Sequence, residues 1–189
     1  MGIKVLYSTR KQTMSATEYV ILVDENNQEI GQAEKMAAHE QCLLHRAFSV
    51  FIYRDKPQRE LLIQQRADDK YHAGGLWTNT CCSHPRPGED VIAAGERRLQ
   101  EELGISAKLK SLGWFQYTAH FTNGLAENEI DYVLVGKIDA DQNIIANPQE
   151  VQAFRWVTID ILRAELASSP EKFTPWFARA LEVALKTFN

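Results

Sequence analysis

Apolar positions along this chain come in short alternating blocks, and their period changes where the chain turns helical. Tyr19-Val20-Ile21-Leu22-Val23 is an apolar run closed by Asp24 and the turn-forming pair Asn26-Asn27, which predicts a strand. The stretch from His45 to Tyr53 is rich in β-branched and aromatic residues and has few charges, as expected of a strand buried on both faces. A turn at Asp55-Lys56-Pro57-Gln58 leads into Leu61-Leu62-Ile63-Gln64-Gln65, completing a hairpin. From Glu89 the apolar residues fall at three- and four-residue steps: Val91 or Ile92, Gly95, Leu99 and Leu103. That spacing predicts a helix, stopped by Gly104. Two strands follow, over 109–117 and 129–138, around the turn Thr122-Asn123-Gly124, and a third runs from Val151 to Val157. A helix opens at Thr158-Ile159-Asp160 and ends before Pro170. In the last helix, Thr174 is read as the N-cap and Pro175 as its first residue, with Phe177, Ala180, Leu181, Ala184 and Leu185 on one face. Strands dominate and helices are inserted singly. The expected class is α+β, a mixed sheet flanked by helices on both sides as an α/β/α sandwich.

Composition narrows this picture without redirecting it. A chain of 189 residues favours one domain, placed here at residues 17–189 behind a loose arm of residues 1–16. A formal net charge of -4 gives no global support for nucleic-acid binding. No run of apolar residues reaches the ~18 needed for a membrane span, so no membrane partner is expected. The three cysteines, Cys42, Cys81 and Cys82, are a poor disulfide framework and are read as reduced, in a cytoplasmic protein.

The candidate chemistry starts with histidine, because the chain has five. Any one of them, taken singly, reads as a core or surface residue. His39, His45 and His84 fall in segments expected to lie close together, and Glu127 and Glu129 are spaced to share one face of a strand. Three imidazoles and two carboxylates make a five-ligand set with one position open, which suits a divalent metal in near-octahedral geometry. The nitrogen content favours manganese or zinc over magnesium. Cys81 and Cys82 lie in what reads as a loop before a helix. There a cysteine is either a reactive thiol or a small buried hydrophobe. His84 close by favours reactivity, and only one of the two side chains can face a given pocket if the segment is extended.

The helix after them follows the Nudix signature. Ser83, Glu89, Arg97-Arg98-Leu99, Glu101-Glu102 and Gly104-Ile105 match G-x5-E-x7-R-E-U-x-E-E-x-G-U. Two residues depart from it: Ser83 stands for the first glycine, and Arg98 replaces a carboxylate that hydrolases of this kind use for metal. A cation at that position can instead bind phosphate directly. Lys35, Arg66 and Lys70 add to Arg98 a set of four cations able to line one end of a pocket, with Tyr117 and Trp176 as aromatic candidates for the other.

Together the blocks EKMAAH, LLHRAFSVFIY, LLIQQRADDK, LWTNTCCSHP, AENE and FTPWF resemble the type I isopentenyl-diphosphate isomerases, a branch of the Nudix superfamily. The resemblance runs from about Tyr19 to Trp176. It implies conversion of isopentenyl diphosphate to dimethylallyl diphosphate by protonation and deprotonation on opposite faces of the alkene. It assigns proton transfer to Cys82 and Glu129, with Tyr117 assisting. It places one divalent ion (manganese, magnesium or zinc) at His39, His45, His84, Glu127 and Glu129. It gives Glu102 to a magnesium ion arriving with the substrate, Lys35, Arg66, Lys70 and Arg98 to the diphosphate, and Trp176 to the hydrocarbon. The alternative is a Nudix diphosphate hydrolase, which leaves Cys82 and the histidines without a role.

Overall fold

The computed structural model describes residues 17–55 and 57–187. The expected arm over residues 1–16 lies outside the described residues, as does Lys56 in the expected turn. The elements are β1 (Tyr19–Val23), β2 (Glu29–Glu34), α1 (Lys35–Glu40), β3 (His45–Asp55), β4 (Arg59–Arg66), β5 (Trp77–Thr78), β6 (Cys81–Ser83), α2 (Val91–Leu103), β7 (Leu109–His120), β8 (Ala126–Lys137), β9 (Val151–Thr158), α3 (Ile159–Ser168) and α4 (Phe177–Leu185), with a short 3-10 turn at Pro170–Lys172.

Strand β3 is the axis of the sheet. Along one edge it runs parallel to β8, with His45 opposite Glu129 and Tyr53 opposite Lys137. Its other edge is shared in succession by β1 at His45, β6 at Phe48 to Val50, and β4 at Ile52 to Asp55. Beyond these, β7 pairs with β8 and β9 with β4, both antiparallel. A strand enclosed on both edges and both faces must be apolar almost throughout, which is the composition of β3.

The two faces bury different helices. Phe48, Val50, Ile52, Leu62 and Leu134 pack with Leu99 and Leu103 of α2. On the opposite face, Phe51, Leu61, Ile63, Val133 and Val135 pack with Leu162 of α3 and with Phe177 and Leu181 of α4. The sheet is mixed and lies between helices, as the hydrophobic pattern predicts. Truncating a wholly buried residue such as Leu99 to alanine would cost about 2–5 kcal/mol. Helix α2 starts where the Asp90 side chain accepts hydrogen bonds from the Ile92 and Ala93 amides. It stops at Gly104, whose φ of +65° suits glycine. Gly95 sits mid-helix because a Cβ there would lie 2.6 Å from Leu134 Cδ1 and 2.9 Å from Leu109 Cδ1.

Three local expectations change. Cys81 and Cys82 belong to strand β6 rather than a loop. Helix α4 begins at Phe177 rather than at Thr174-Pro175. The Thr174 hydroxyl is engaged with Thr78 Oγ1 at 2.9 Å and its carbonyl accepts from the Phe177 amide, so Thr174 closes a turn and cannot cap the helix. Strand β2 is an additional element. It is mostly exposed and contains Gly31, so no apolar alternation marks it. Among the described residues no helix is long and apolar enough to cross a membrane.

Candidate active site

Strand alternation builds the site. Glu127, Glu129 and Asp131 occupy alternate positions of β8, on the face that continues into Val133 and Val135. His45 stands beside Glu129 across the parallel ladder, and Tyr117 of β7 stands beside it on the other side. Strand β6 places Cys82 opposite Ser49 of β3. Its neighbour Cys81 points to the other face of the sheet, where it is fully buried against the α2 core. A cavity of about 640 Å³ opens over this region. Its lining includes Cys82, Glu129, Tyr117 and Trp176, together with all four candidate cations, Lys35, Arg66, Lys70 and Arg98.

The histidines are arranged as ligands. His39 Nδ1 lies 2.7 Å from the Lys35 carbonyl and His45 Nδ1 lies 2.7 Å from the Leu43 carbonyl. A carbonyl only accepts, so each Nδ1 carries a proton, and Nε2 is the nitrogen left to face the site, as a lone pair in the neutral ring and as a donor in the charged one. His39 Nε2 is buried with no hydrogen-bond partner. His45 Nε2 and His84 Nε2 face one another at 3.2 Å, and Glu129 Oε1 lies 2.9 Å from His84 Nε2 and 3.3 Å from His45 Nε2. One donor atom from each of His39, His45, His84 and Glu129 falls within 4.8 Å of all the others. Imidazole nitrogens converging beside a carboxylate, with one of them orphaned, are the environment a divalent cation relieves. The residues therefore fit a metal ion.

Electrostatics follow from burial. Burial, aided by the charges of His84 and His45, depresses His39 to about 3. Burial likewise depresses His84 to about 4, against the opposing hydrogen bond and charge of Glu129. Both imidazoles are thus neutral, the form that ligates. Burial works against ionised Glu129, but hydrogen bonds from His45 and His84 outweigh it and hold that carboxylate well below its usual range. Burial and then the Glu129 charge push Glu127 up. The Tyr117 hydroxyl bridges the pair, 2.6 Å from an oxygen of each carboxylate. Burial pushes the Cys82 thiol up to about 12 despite Arg66, whose Nη1 donates to Cys82 Sγ at 3.3 Å.

Three of the four candidate cations are held by acidic partners. Lys35 pairs with Glu18, and Lys70 with Glu150. Arg98 bridges Glu101, Glu102 and Glu150. Glu102 also accepts from Gln64 Nε2 at 3.1 Å. Arg66 sits against Trp176, its guanidinium carbon 5.6 Å from the ring centroid. Trp176 is itself held by an Nε1 bond to Asn79 Oδ1 at 3.2 Å. The candidate residues other than His39 and His45 line one cavity, and those two bring a donor atom within 4.8 Å of one on His84 and one on Glu129, which line it.

Two residues at the site escape the sequence reading. His72, in the loop between β4 and β5, brings its Nε2 within 2.9 Å of Glu127 Oε1. No periodicity marks it. Asp131 accepts from Ser49 Oγ at 2.8 Å with its other oxygen unpartnered, and burial followed by the Glu129 charge pushes its carboxyl well up. Its signal was available: it continues the two-residue spacing of Glu127 and Glu129.

Comparison with known proteins places this geometry. A NUDIX domain model matches residues 43–177. An isopentenyl-diphosphate Delta-isomerase of Aliivibrio fischeri is 48% identical over 166 residues, covering 85% of this chain and 91% of that protein. One from Photobacterium profundum is 47% identical over 179 residues, covering 93% of this chain and 99% of its own length. In fold, a crystal structure from Deinococcus radiodurans superimposes with a TM-score of 0.67 at 22% identity, covering 88% of this chain and 98% of that one. A MutT protein from Methanosarcina mazei gives 0.60 at 17% identity, covering 77% and 96%. The chain belongs to the isopentenyl-diphosphate Delta-isomerase family of NUDIX proteins.

Proposed function

We propose that this enzyme converts isopentenyl diphosphate to dimethylallyl diphosphate, a step of isoprenoid biosynthesis. One proton is added to the terminal alkene carbon, placing the cation on its neighbour C3, and one is removed from C2 beside that cation, so the diphosphate stays attached and no net proton is consumed. The observation that carries this reading is the presence of the Cys82 thiol and the Tyr117–Glu129 pair in one cavity whose far end is lined by cations.

Cys82 is the proton-transfer group on one face of the alkene. Burial keeps it a neutral thiol at physiological pH, able to hold and give a proton. Glu129 is the group on the other face, and Tyr117 positions its carboxylate. When bound, a divalent ion (manganese or zinc on the nitrogen content of the donors) held by His39, His45, His84, Glu127 and Glu129 supplies positive charge that tunes the acidity of Glu129. Lys35, Arg66, Lys70 and Arg98 bind the diphosphate, and Glu102 with the Cys82 carbonyl receives the magnesium that comes with the substrate. The Trp176 ring faces the hydrocarbon. It stabilises a tertiary cation by about 2 kcal/mol, roughly thirtyfold in rate. Enclosing the cation excludes water that would trap it as an alcohol. All three cysteines are unpaired. Cys82 must remain a thiol, so we place the reaction in the reducing cytoplasm.

The rival hydrolase requires a carboxylate where Arg98 stands. Arg98 instead neutralises Glu102 at 2.6 Å. Incubation with isopentenyl diphosphate, magnesium and manganese, followed by proton and phosphorus NMR, separates the two. Dimethylallyl diphosphate with intact diphosphate is expected. Phosphate release without isomerised product would establish the hydrolase.

A further inference from the structure

The geometry points to His72 as a sixth side-chain ligand of the metal centre, an assignment that rests on the reading of His39, His45, His84, Glu127 and Glu129 as a metal site.

His72 reaches the site independently of the strands that carry most of the other donors, from the loop between β4 and β5. Its side chain is 1% exposed and its Nε2 lies 2.9 Å from Glu127 Oε1. Its Nδ1 has no hydrogen-bond partner, and its Nε2 meets no polar group but the Glu127 carboxylate. Leaving a buried imidazole in that state costs free energy unless something else takes the lone pair. Packing also fixes the ring. It stacks on Phe121 with centroids 4.6 Å apart and planes 8° from parallel, and meets the edge of Tyr71 at 4.3 Å.

A donor atom of His72 lies within 4.8 Å of one on His39 and one on Glu127. His39 also belongs to the group formed with His45, His84 and Glu129. Each histidine offers one ligand nitrogen here, and the orphaned His39 Nε2 is where the two groups meet. The two groups share His39 but do not close into one set within 4.8 Å; the assignment is that the ion draws them together as two sides of one shell, with four imidazoles and two carboxylates. Six donors complete an octahedron, and four nitrogens move its preference further from magnesium. The ion then has no open position for substrate and serves as a fixed charge beside Glu129. The same loop is tied to the anion end, because the His72 carbonyl accepts from Arg66 Nη2 at 3.3 Å.

The test uses the full chain, stripped with chelator and titrated with manganese alone. Affinity is read from the free-ion electron spin resonance signal. The number of nitrogen ligands is read from spin-echo modulation of the bound ion. His72→Phe keeps the ring stack on Phe121 and removes both nitrogens. If that variant does not fold, His72→Asn carries the same comparison. The wild type should bind one manganese with four nitrogen couplings. The variant should bind at least about tenfold more weakly, with three. Unchanged affinity would overturn the assignment. So would weaker binding with all four couplings retained, which would make His72 a positioning partner of Glu127. His84→Gln serves as the control. If neither the wild type nor any variant binds manganese, the metal-centre reading itself fails, and His72 fails with it. If only His84→Gln loses the ion, the centre stands and His72 is not its ligand.

Discussion

His45 and His84 point their Nε2 atoms at each other across 3.2 Å, with Glu129 completing the triangle. Two ring nitrogens held this close beside one carboxylate, His45 from β3 and His84 from just past β6, need a proton or a cation between them. An ion joining them should supply a large share of local stability. Saturation at about 100 times Kd contributes about 2.7 kcal/mol. Removing the ion with chelator should lower Tm by about 5–10 °C, and manganese should restore it. A melting temperature indifferent to chelator would mean the pair is held by a proton rather than a metal.

Glu127 and Glu129 share the Tyr117 hydroxyl but differ in charge state. Hydrogen bonds from two histidines hold Glu129 ionised, whereas burial and the Glu129 charge push Glu127 up. Glu129→Gln should reduce kcat by about 10²–10⁴-fold. Glu127→Gln should chiefly weaken metal binding, by about 10–100-fold, with activity recovered at high manganese. Steady-state kinetics over a metal titration distinguishes them, and a fully active Glu129→Gln would remove its proton role.

The Cys82 thiol, pushed up to about 12, should resist alkylation. At pH 8 its thiolate fraction is about a thousandfold below that of an ordinary cysteine with pKa ~8.5. Iodoacetamide should therefore modify it far more slowly than the same thiol in urea. The stability consequence has a definite sign. The folded pKa is raised, so the thiol's contribution is complete below the unfolded pKa of about 8.5 and is lost as pH rises toward 12. The difference in unfolding free energy between wild type and Cys82→Ala should shrink across that window. Rapid labelling of the folded enzyme at pH 8 would contradict the buried-thiol description.

Arg98 is half-buried among Glu101, Glu102 and Glu150. Burial opposes its charge, and Glu102 more than compensates, keeping it fully protonated. On the proposed reading, Arg98→Ala takes away a diphosphate contact and leaves Glu102 with Gln64 but without its guanidinium partner. KM for isopentenyl diphosphate should rise by about 10–100-fold, corresponding to one charge-assisted contact of about 1.5–3 kcal/mol. A change confined to kcat would place Arg98 outside the anion site.

Much of this was legible before the structure. The buried axis strand, the helix ending at Gly104 and the hairpin carrying Glu127 and Glu129 all follow from spacing, because each is set by residues close in sequence. His72 was not legible. It lies between Tyr71 and Ala73 in a loop with no period, and it meets Glu127 only once β4, β5 and β8 are assembled. Thr174 misled for a related reason. Its local role as a cap lost to a hydrogen bond with Thr78, 96 residues away. The opposed directions of Cys81 and Cys82 were stated conditionally, and strand β6 supplies the extended backbone that the condition required.

The most direct measurement is turnover of isopentenyl diphosphate in deuterium oxide by wild type, Cys82→Ala and Cys81→Ala. The wild type should give dimethylallyl diphosphate carrying deuterium in a methyl group. Cys82→Ala should remain folded, by circular dichroism, and lose the reaction by at least about 10²-fold. Cys81→Ala, which only trims the α2 core, should keep most of it. Deuterated product at the wild-type rate from Cys82→Ala, or equal losses from both variants, would contradict the account.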